Sequence, residues 1–577
     1  RSRTRVRRGF SAQLVVDGST PIEMTIDLEN DQVTATTGPL SPGTHTFVIH
    51  YFLDGALVAA ATSQAQIIAG QNTNIVFSPD STVNRPPTVL ETRPAGNATG
   101  VSTNSTLKTT FSQPMNPASL NSLNFTLTGL SGSVPGVVSY VGTPPSFETT
   151  FTPSQPLALI ADYTATLGTG ISGILDEALA AAYVWQFTTA DGTWQSSEGI
   201  DFNSVTDPLN HAGSPKIAVD SNGDVIAVWT QGALSPAPFI PTEIWANRYV
   251  KGVGWGTPQT INTNTTYAAD LPKIAVAPNG HALVVWQQSD GTRNNIWANR
   301  FNNTTGTWES AQLIETDNAG SADSPQIAVD ANGNGIAIWR QSDGSFTNIM
   351  SKRFSNSGTW ETSASPVESG AGSAHTPQIA VGANGNVLAV WVQDDGAQFS
   401  LFANQFDANT ASWRTEERIE FSNAGAADTP KIAIAPNGTA TAVWRQSDGS
   451  TINVLSNRFI LGTGWNTSTP AIDTENQEAF TPEVAVDTQG NALAVWRQSK
   501  NGQIHIFSSR YNSNTNLWET PEPIESGNAS NAGFPQIAFD LNGNAIAVWA
   551  QLDSGETFDN VWANRFLKSS GWQTPEK

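Results

Sequence analysis

From residue 193 onward, short apolar strands recur at a nearly fixed interval, and that interval decides the architecture. A strand reading P-x-I-A-V-D begins at Pro215, Pro272, Pro325, Pro377, Pro430, Pro482 and Pro535, at spacings of 57, 53, 52, 53, 52 and 53 residues. Each copy passes through an Asn-Gly type turn into a second strand ending A-V-W-x-Q, whose tryptophans are Trp229, Trp286, Trp339, Trp391, Trp444, Trp496 and Trp549. A third strand is typified by NIWANRF at 295–301, and a fourth begins at Trp255, Trp308, Trp360, Trp413, Trp465 and Trp518. Radial repetition of four-stranded units buries both faces of every sheet against its neighbours and leaves only short edges. The period therefore predicts a seven-bladed β-propeller over residues 193–577. A further fourth-strand copy stands at each end, TWQSSEGID from Thr193 and GWQTPEK from Gly571. Trp194 keeps an Ile six residues on, at Ile200, so strand 193–201 is expected to close the ring by completing the last blade.

Upstream the pattern changes. Residues 9–82 alternate apolar and polar positions in short runs such as Thr46-Phe47-Val48-Ile49-His50-Tyr51-Phe52, separated by turn signals at Asp17-Gly18, Ser41-Pro42-Gly43 and Asp54-Gly55. That alternation predicts a small β-sandwich. Residues 84–190 show the same kind of strands, and the whole chain reads as all-β: two small sandwiches followed by the propeller.

Three segments carry family resemblances. The stretch LSPGTHTFVIHYFLDG looks like the Ig-like and transthyretin-like modules of bacterial surface proteins. Residues 84–190 resemble the bacterial Ig-like domain first associated with S-layer proteins, through Phe111-Ser112-Gln113-Pro114-Met115, the strand Tyr163-Thr164-Ala165-Thr166-Leu167 and the closing WQFTT. Where that family has an Asp-rich turn before its last strand, this chain has SGILDEALAAAYVW, so the resemblance implies a stalk or spacer rather than an ion site. The repeat looks like propeller units with a P-x-x-I-A-V-D first strand, as in NHL-type proteins, from which A-V-W-x-Q and N-R-F depart.

Composition narrows the function. The 577 residues contain no cysteine, which removes disulfides, thiolate metal sites and thiol nucleophiles. A formal charge of −22 disfavours nucleic acid and anionic membranes as partners. No apolar run approaches the roughly 18 residues that a membrane-spanning helix requires, so no transmembrane segment is expected. The acidic, turn-rich composition suits an extracellular or cell-surface protein. Against it stands the opening RSRTRVRR: Arg1, Arg3, Arg5, Arg7 and Arg8 form a basic arm over residues 1–8 that could join neighbouring copies.

For catalysis the inventory is thin. His45, His50, His211, His281, His375 and His505 are scattered, and no H-E-x-x-H, G-x-S-x-G or phosphate-binding glycine loop occurs. His45 and His50 lie an odd number of residues apart on one strand and should face opposite sides, which argues against a shared metal. The S-x-D-x-G-x-T-W box of propeller sialidases is missing. One tryptophan per blade at a fixed position reads as inter-blade core, and the glutamine two residues on reads as an amide tying blades together. The third-strand arginines read the same way. The D-x-N-G-N turns at Asp220, Asp330 and Asp540 read as hairpin chemistry rather than calcium loops.

Binding is expected on the opposite rim, where loops vary. There lie Asp290, Asp343, Asp395, Asp448 and Asp553, with Phe346, Phe399 and Phe558 among them. Such a rim should attract a cationic partner or a bridging divalent ion such as loop-bound calcium; no other cofactor is implied. The expectation is a non-enzymatic binding or adhesion protein presenting its propeller to a glycan or surface protein. The alternative is a structural subunit of an extracellular filament or surface-layer assembly that joins through its N-terminal region, and a propeller glycoside hydrolase, whose acidic pair would lie among the 50 carboxylates, stands third.

Overall fold

The computed structural model describes residues 10–27, 32–53, 55–71, 73, 75, 82–129, 132–143, 146–190, 199–201, 210–233, 242–251, 253–315, 320–370, 372–383, 385–422, 424–473, 477–525, 531–552 and 559–577. The basic arm, Asp553, Phe558 and residues 193–198 of the expected closing strand lie outside them. The described residues are β-strands and turns, with one 3-10 turn at Pro117–Ser119. They fall into two compact units, split near residue 196. No helix among them is long and apolar enough to cross a membrane.

In the first unit, Phe10–Val16, Gly43–Leu53 and Ala56–Ile67 form the centre of an antiparallel sheet. Its apolar face, built from Ala12, Leu14, Val16, Phe47 and Ile49, packs on Met24 and Leu40. His45 is tied to Asp17 at 2.5 Å and to the Ser41 carbonyl at 2.7 Å, so it anchors a turn.

Residues 89–189 of the same unit form a two-sheet sandwich. One sheet contains Val89–Arg93, Leu107–Phe111, Gly136–Thr143 and Ser146–Pro153. The other contains Phe125–Gly129, Asp162–Leu167 and Tyr183–Thr189. Alternate residues point inward, and Leu107, Phe111, Phe125, Phe151, Tyr163, Trp185 and Phe187 fill the space between. The Tyr140 hydroxyl accepts a hydrogen bond from the Met115 amide at 2.8 Å, which fixes the loop that carries Gln113, Pro114 and Met115.

The second unit contains seven successive antiparallel sheets, one per repeat, referred to as sheets 1 to 7. Their second strands read as unbroken apolar runs because both faces are covered. Ile226 and Val228 of sheet 1 face Val284 and Trp286 of sheet 2, and corresponding sets join each sheet to the next through sheet 7. Six junctions are packed in this way. The outer face of sheet 7 carries none among the described residues: Ile546 and Val548 are only half-buried and Val561 is exposed.

The repeated polar residues serve this packing. In all seven sheets the ladder tryptophan donates its indole N–H to the glutamine two residues on, at 2.9–3.1 Å. The amide N–H groups of Gln341, Gln393 and Gln446 go to carbonyls of the segment entering their own sheet: Gly320, Gly372 and Gly425. The glutamines thus bind their own indole and connecting chain, and Gln393 and Gln446 also reach Glu368 and Glu420 of the preceding sheet at 3.1 and 3.2 Å, the expected tie between blades. The second tryptophans stand edge-on to a third-strand Phe or Tyr at 5.3–5.6 Å. Third-strand arginines cover the equivalent ring of the following sheet, as Arg248 does over Phe301 at 5.2 Å and Arg458 over Tyr511 at 4.3 Å.

Asn299, Asn404, Asn457 and Asn564 each donate to a carbonyl at the end of the preceding sheet's fourth strand: Ile261, Val367, Ile419 and Ile524. Asn247 of sheet 1 makes the same bond to Ile200, at 3.0 Å. Ile200 therefore stands ahead of sheet 1 as a strand end would. Sheet 7 has an outer strand of its own, Gly571–Trp572, extended by a bridge between Ala563 and Glu576.

One feature of the inner strands was not expected. The residue before each repeat proline has positive φ: Ser214, Leu271, Ser324, Thr376, Thr429, Thr481 and Phe534, at 43° to 53°. Each marks a β-bulge, where a residue without an N–H is tolerated in a strand.

Candidate functional site

Antiparallel order brings the starts of the first and third strands and the ends of the second strands to one rim. The Asn-Gly turns occupy the other, and there the aspartates are consumed locally. Asp330 accepts from the amides of Asn332 and Asn334 at 2.9 and 2.8 Å, and Asp540 from those of Asn542 and Asn544, both at 2.8 Å. Gly333 and Gly543 supply the left-handed residue at φ 87° and 85°.

On the varied rim the expected ligand aspartates behave similarly. Asp343 accepts from the amides of Ser345 and Phe346, each at 2.8 Å, and from Asn348 at 3.1 Å. Asp448 accepts from Ser450, Thr451 and Asn453, and Asp395 from Ala397, Gln398 and Ser400. Asp290 accepts from Thr292, Arg293 and Asn295. These hydrogen bonds hold all four carboxyls below the usual carboxylate range, led by the Thr292 hydroxyl for Asp290 and by loop amides for the others. Arg418 also lies 3.3 Å from Asp395. The four carboxylates lock their own turns, and the structure does not gather them around a common point. Among the described residues no group of three or more His, Asp or Glu is placed to hold a metal.

The aromatics at this rim are different. Tyr267, Phe346, Phe399, Phe421 and Phe534 are 39–73% exposed, whereas every ladder tryptophan is buried. They come from five loops or strand ends. Phe399 meets the His375 ring edge-on at 5.4 Å, and the Arg497 guanidinium lies 5.8 Å from the Phe534 ring centre. Arg340 donates to Asp323 of its own sheet at 2.7 Å and to His375 of the next at 3.0 Å. Burial, then Arg340, holds the His375 ring below its ordinary value, which suits a neutral acceptor.

Sequence reasoning missed a set of carboxylates beneath this rim. The residue after the core Ile or Val that ends each fourth strand is Glu315, Glu368, Glu420, Asp473 or Glu525, with Asn262 in sheet 1. All are buried. Glu420 pairs with Arg418 at 2.6 Å, Glu525 with His505, and Glu368 accepts from Gln393 at 3.1 Å. Asp473 accepts from the Val454 amide, and burial pushes its carboxyl up to about 6. The signal was present one residue beyond the Ile or Val that closes the fourth strands of sheets 1 to 6.

Comparison with solved structures finds similarity to a sialidase from Streptococcus pneumoniae, at 10% identity and TM-score 0.36 over 97% of this chain and 95% of that one. An alpha-l-arabinofuranosidase from Fusarium graminearum is similar at 16% identity and TM-score 0.34, over 53% of this chain and 94% of its own. No curated protein matches it. The family model of the bacterial Ig-like domain matches residues 83–189, the two-sheet sandwich described above, and that segment is a bacterial Ig-like domain.

Proposed function

We propose that this chain is an extracellular or cell-surface binding protein whose Ig-like modules, of the S-layer-associated type, serve as a stalk for an NHL-like propeller. The propeller's varied rim meets a glycan or a surface protein, and no catalytic step is assigned to it. One observation carries this reading: five aromatic side chains stand exposed on that rim in a protein that buries its ladder tryptophans. Exposed rings beside Asn and Asp give stacking surfaces and hydrogen-bonding groups together.

The test is a glycan array alongside a pull-down from the native cell surface, run with wild type and with Phe346, Phe399, Phe421 and Phe534 all replaced by Ala. Binding should be lost while the melting temperature holds. Binding that survives the fourfold change would remove the rim from consideration.

The outer face of sheet 7, which no sheet covers among the described residues, favours a second reading, a structural subunit of an extracellular assembly. Sedimentation of the full chain separates the two. A monomer at all concentrations, unaffected by deletion of residues 1–8, counts against assembly.

A further inference from the structure

The innermost strands carry a second polar set, independent of the rim. The residue after each repeat proline pairs with the same position of its second strand: Lys216 with Val228, Lys273 with Val285, Lys431 with Val443 and Glu483 with Val495. Gln326, Gln378 and Gln536 take the position in the other three sheets. The seven side chains therefore stand at one level of the inner strands, and successive inner strands pack side by side from sheet 1 to sheet 7.

The charges at this level do not balance. Lys431 pairs with Glu483 at 2.7 Å, and Gln536 donates to the same carboxylate oxygen at 2.9 Å. Lys216 and Lys273 have no carboxylate partner among the described residues. Burial, followed by repulsion from Lys216 and Lys431, pushes the Lys273 amine down to about 8. Lys216 of sheet 1 and Lys431 of sheet 5 thus both bear on Lys273 of sheet 2, and the carboxylate of Glu483 is the one that bears on it at this level. An acidic chain has carboxylates to spare, yet supplies only one here. Like charges brought together around a partly buried amine such as Lys273 are costly unless a counter-charge joins them.

We propose that the inner-strand lysines form an anion-binding site on the axis of the repeats, which takes a small multivalent oxyanion. Lys216, Lys273 and Lys431 supply charge-assisted hydrogen bonds, and Gln326 and Gln378 supply neutral donors. Glu483 sets the selectivity: it holds Lys431 in place and opposes monovalent anions too weak to displace it.

The test uses the full chain, with inorganic phosphate as the probe, and sodium chloride at matched ionic strength as the control. Calorimetric titration at pH 7 should show saturable phosphate binding that chloride does not reproduce. Lys273→Met should weaken it by about tenfold or more, the loss expected for one charge-assisted contact. Lys216→Met, at an exposed position that leaves the core intact, should weaken it as well. Glu483→Gln should tighten it. Absence of saturable binding in wild type, an equal response to chloride, or binding retained in both lysine variants would overturn the proposal.

Discussion

Ile506 in sheet 6 and Val561 in sheet 7 occupy the same place on their third strands, yet Ile506 is 0% exposed and Val561 is 70% exposed. The two repeats are close in sequence and fold into the same four strands. What differs is the neighbour: Ile506 lies against sheet 7, and no sheet covers Val561 among the described residues. Burial in this unit is a property of junctions, so identical sequence positions contribute unequally to stability. A repeat read alone cannot reveal which of its two faces is covered.

The comparison is broken most severely at the ladder. Trp391 sits fully buried between sheets 3 and 4, and its replacement by Ala should cost about 3–5 kcal/mol. Calorimetric melting checks this; an unchanged transition would mean that the ring is exposed. Next in size is the matched pair itself. Ile506→Ala should cost about 2–4 kcal/mol and Val561→Ala less than about 0.5 kcal/mol, measured by denaturant unfolding. Equal costs would show that the outer face of sheet 7 is covered in solution.

A further effect separates two packed junctions. Asn262 accepts from the Ile244 amide at 3.0 Å, and Asp473 accepts from the Val454 amide at 3.0 Å in the equivalent place. Asparagine performs that duty without a charge. The Asp473 carboxyl titrates higher folded than unfolded, so the folded chain is favoured at low pH and loses that advantage as pH rises from about 4 to about 6. Asp473→Asn should therefore stabilise the protein at pH 7.5, by on the order of 2 kcal/mol, and leave it unchanged at pH 4. Melting curves at both pH values decide it.

The period, the tryptophan ladder and the Asn-Gly turns were legible because each reflects contacts within one repeat or its immediate neighbour. The rim aspartates were legible as charges but not as ligands: sequence shows a carboxylate, not whether its lone pairs are already taken by Ser345 or Thr451. The inner lysines were visible at fixed spacing after the prolines, yet Lys216 and Lys431 lie 215 residues apart and only the curvature of the sheet array relates them. The positive φ at Thr376, Thr429 and Thr481 had no local signal, since a β-branched residue disfavours that region.

The indole-to-glutamine bond has an optical consequence. Seven tryptophans share one dry, hydrogen-bonded setting, while the second set, from Trp255 to Trp572, stands half-buried against solvent. Emission should divide accordingly into a blue component that soluble quenchers cannot reach and a redder one that they can. Because the blue chromophores sit at the junctions themselves, separation of two sheets would redden and expose them even where every strand stayed paired. The intrinsic fluorescence of the unmodified chain thus reports on the gaps between sheets, a quantity to which circular dichroism is blind.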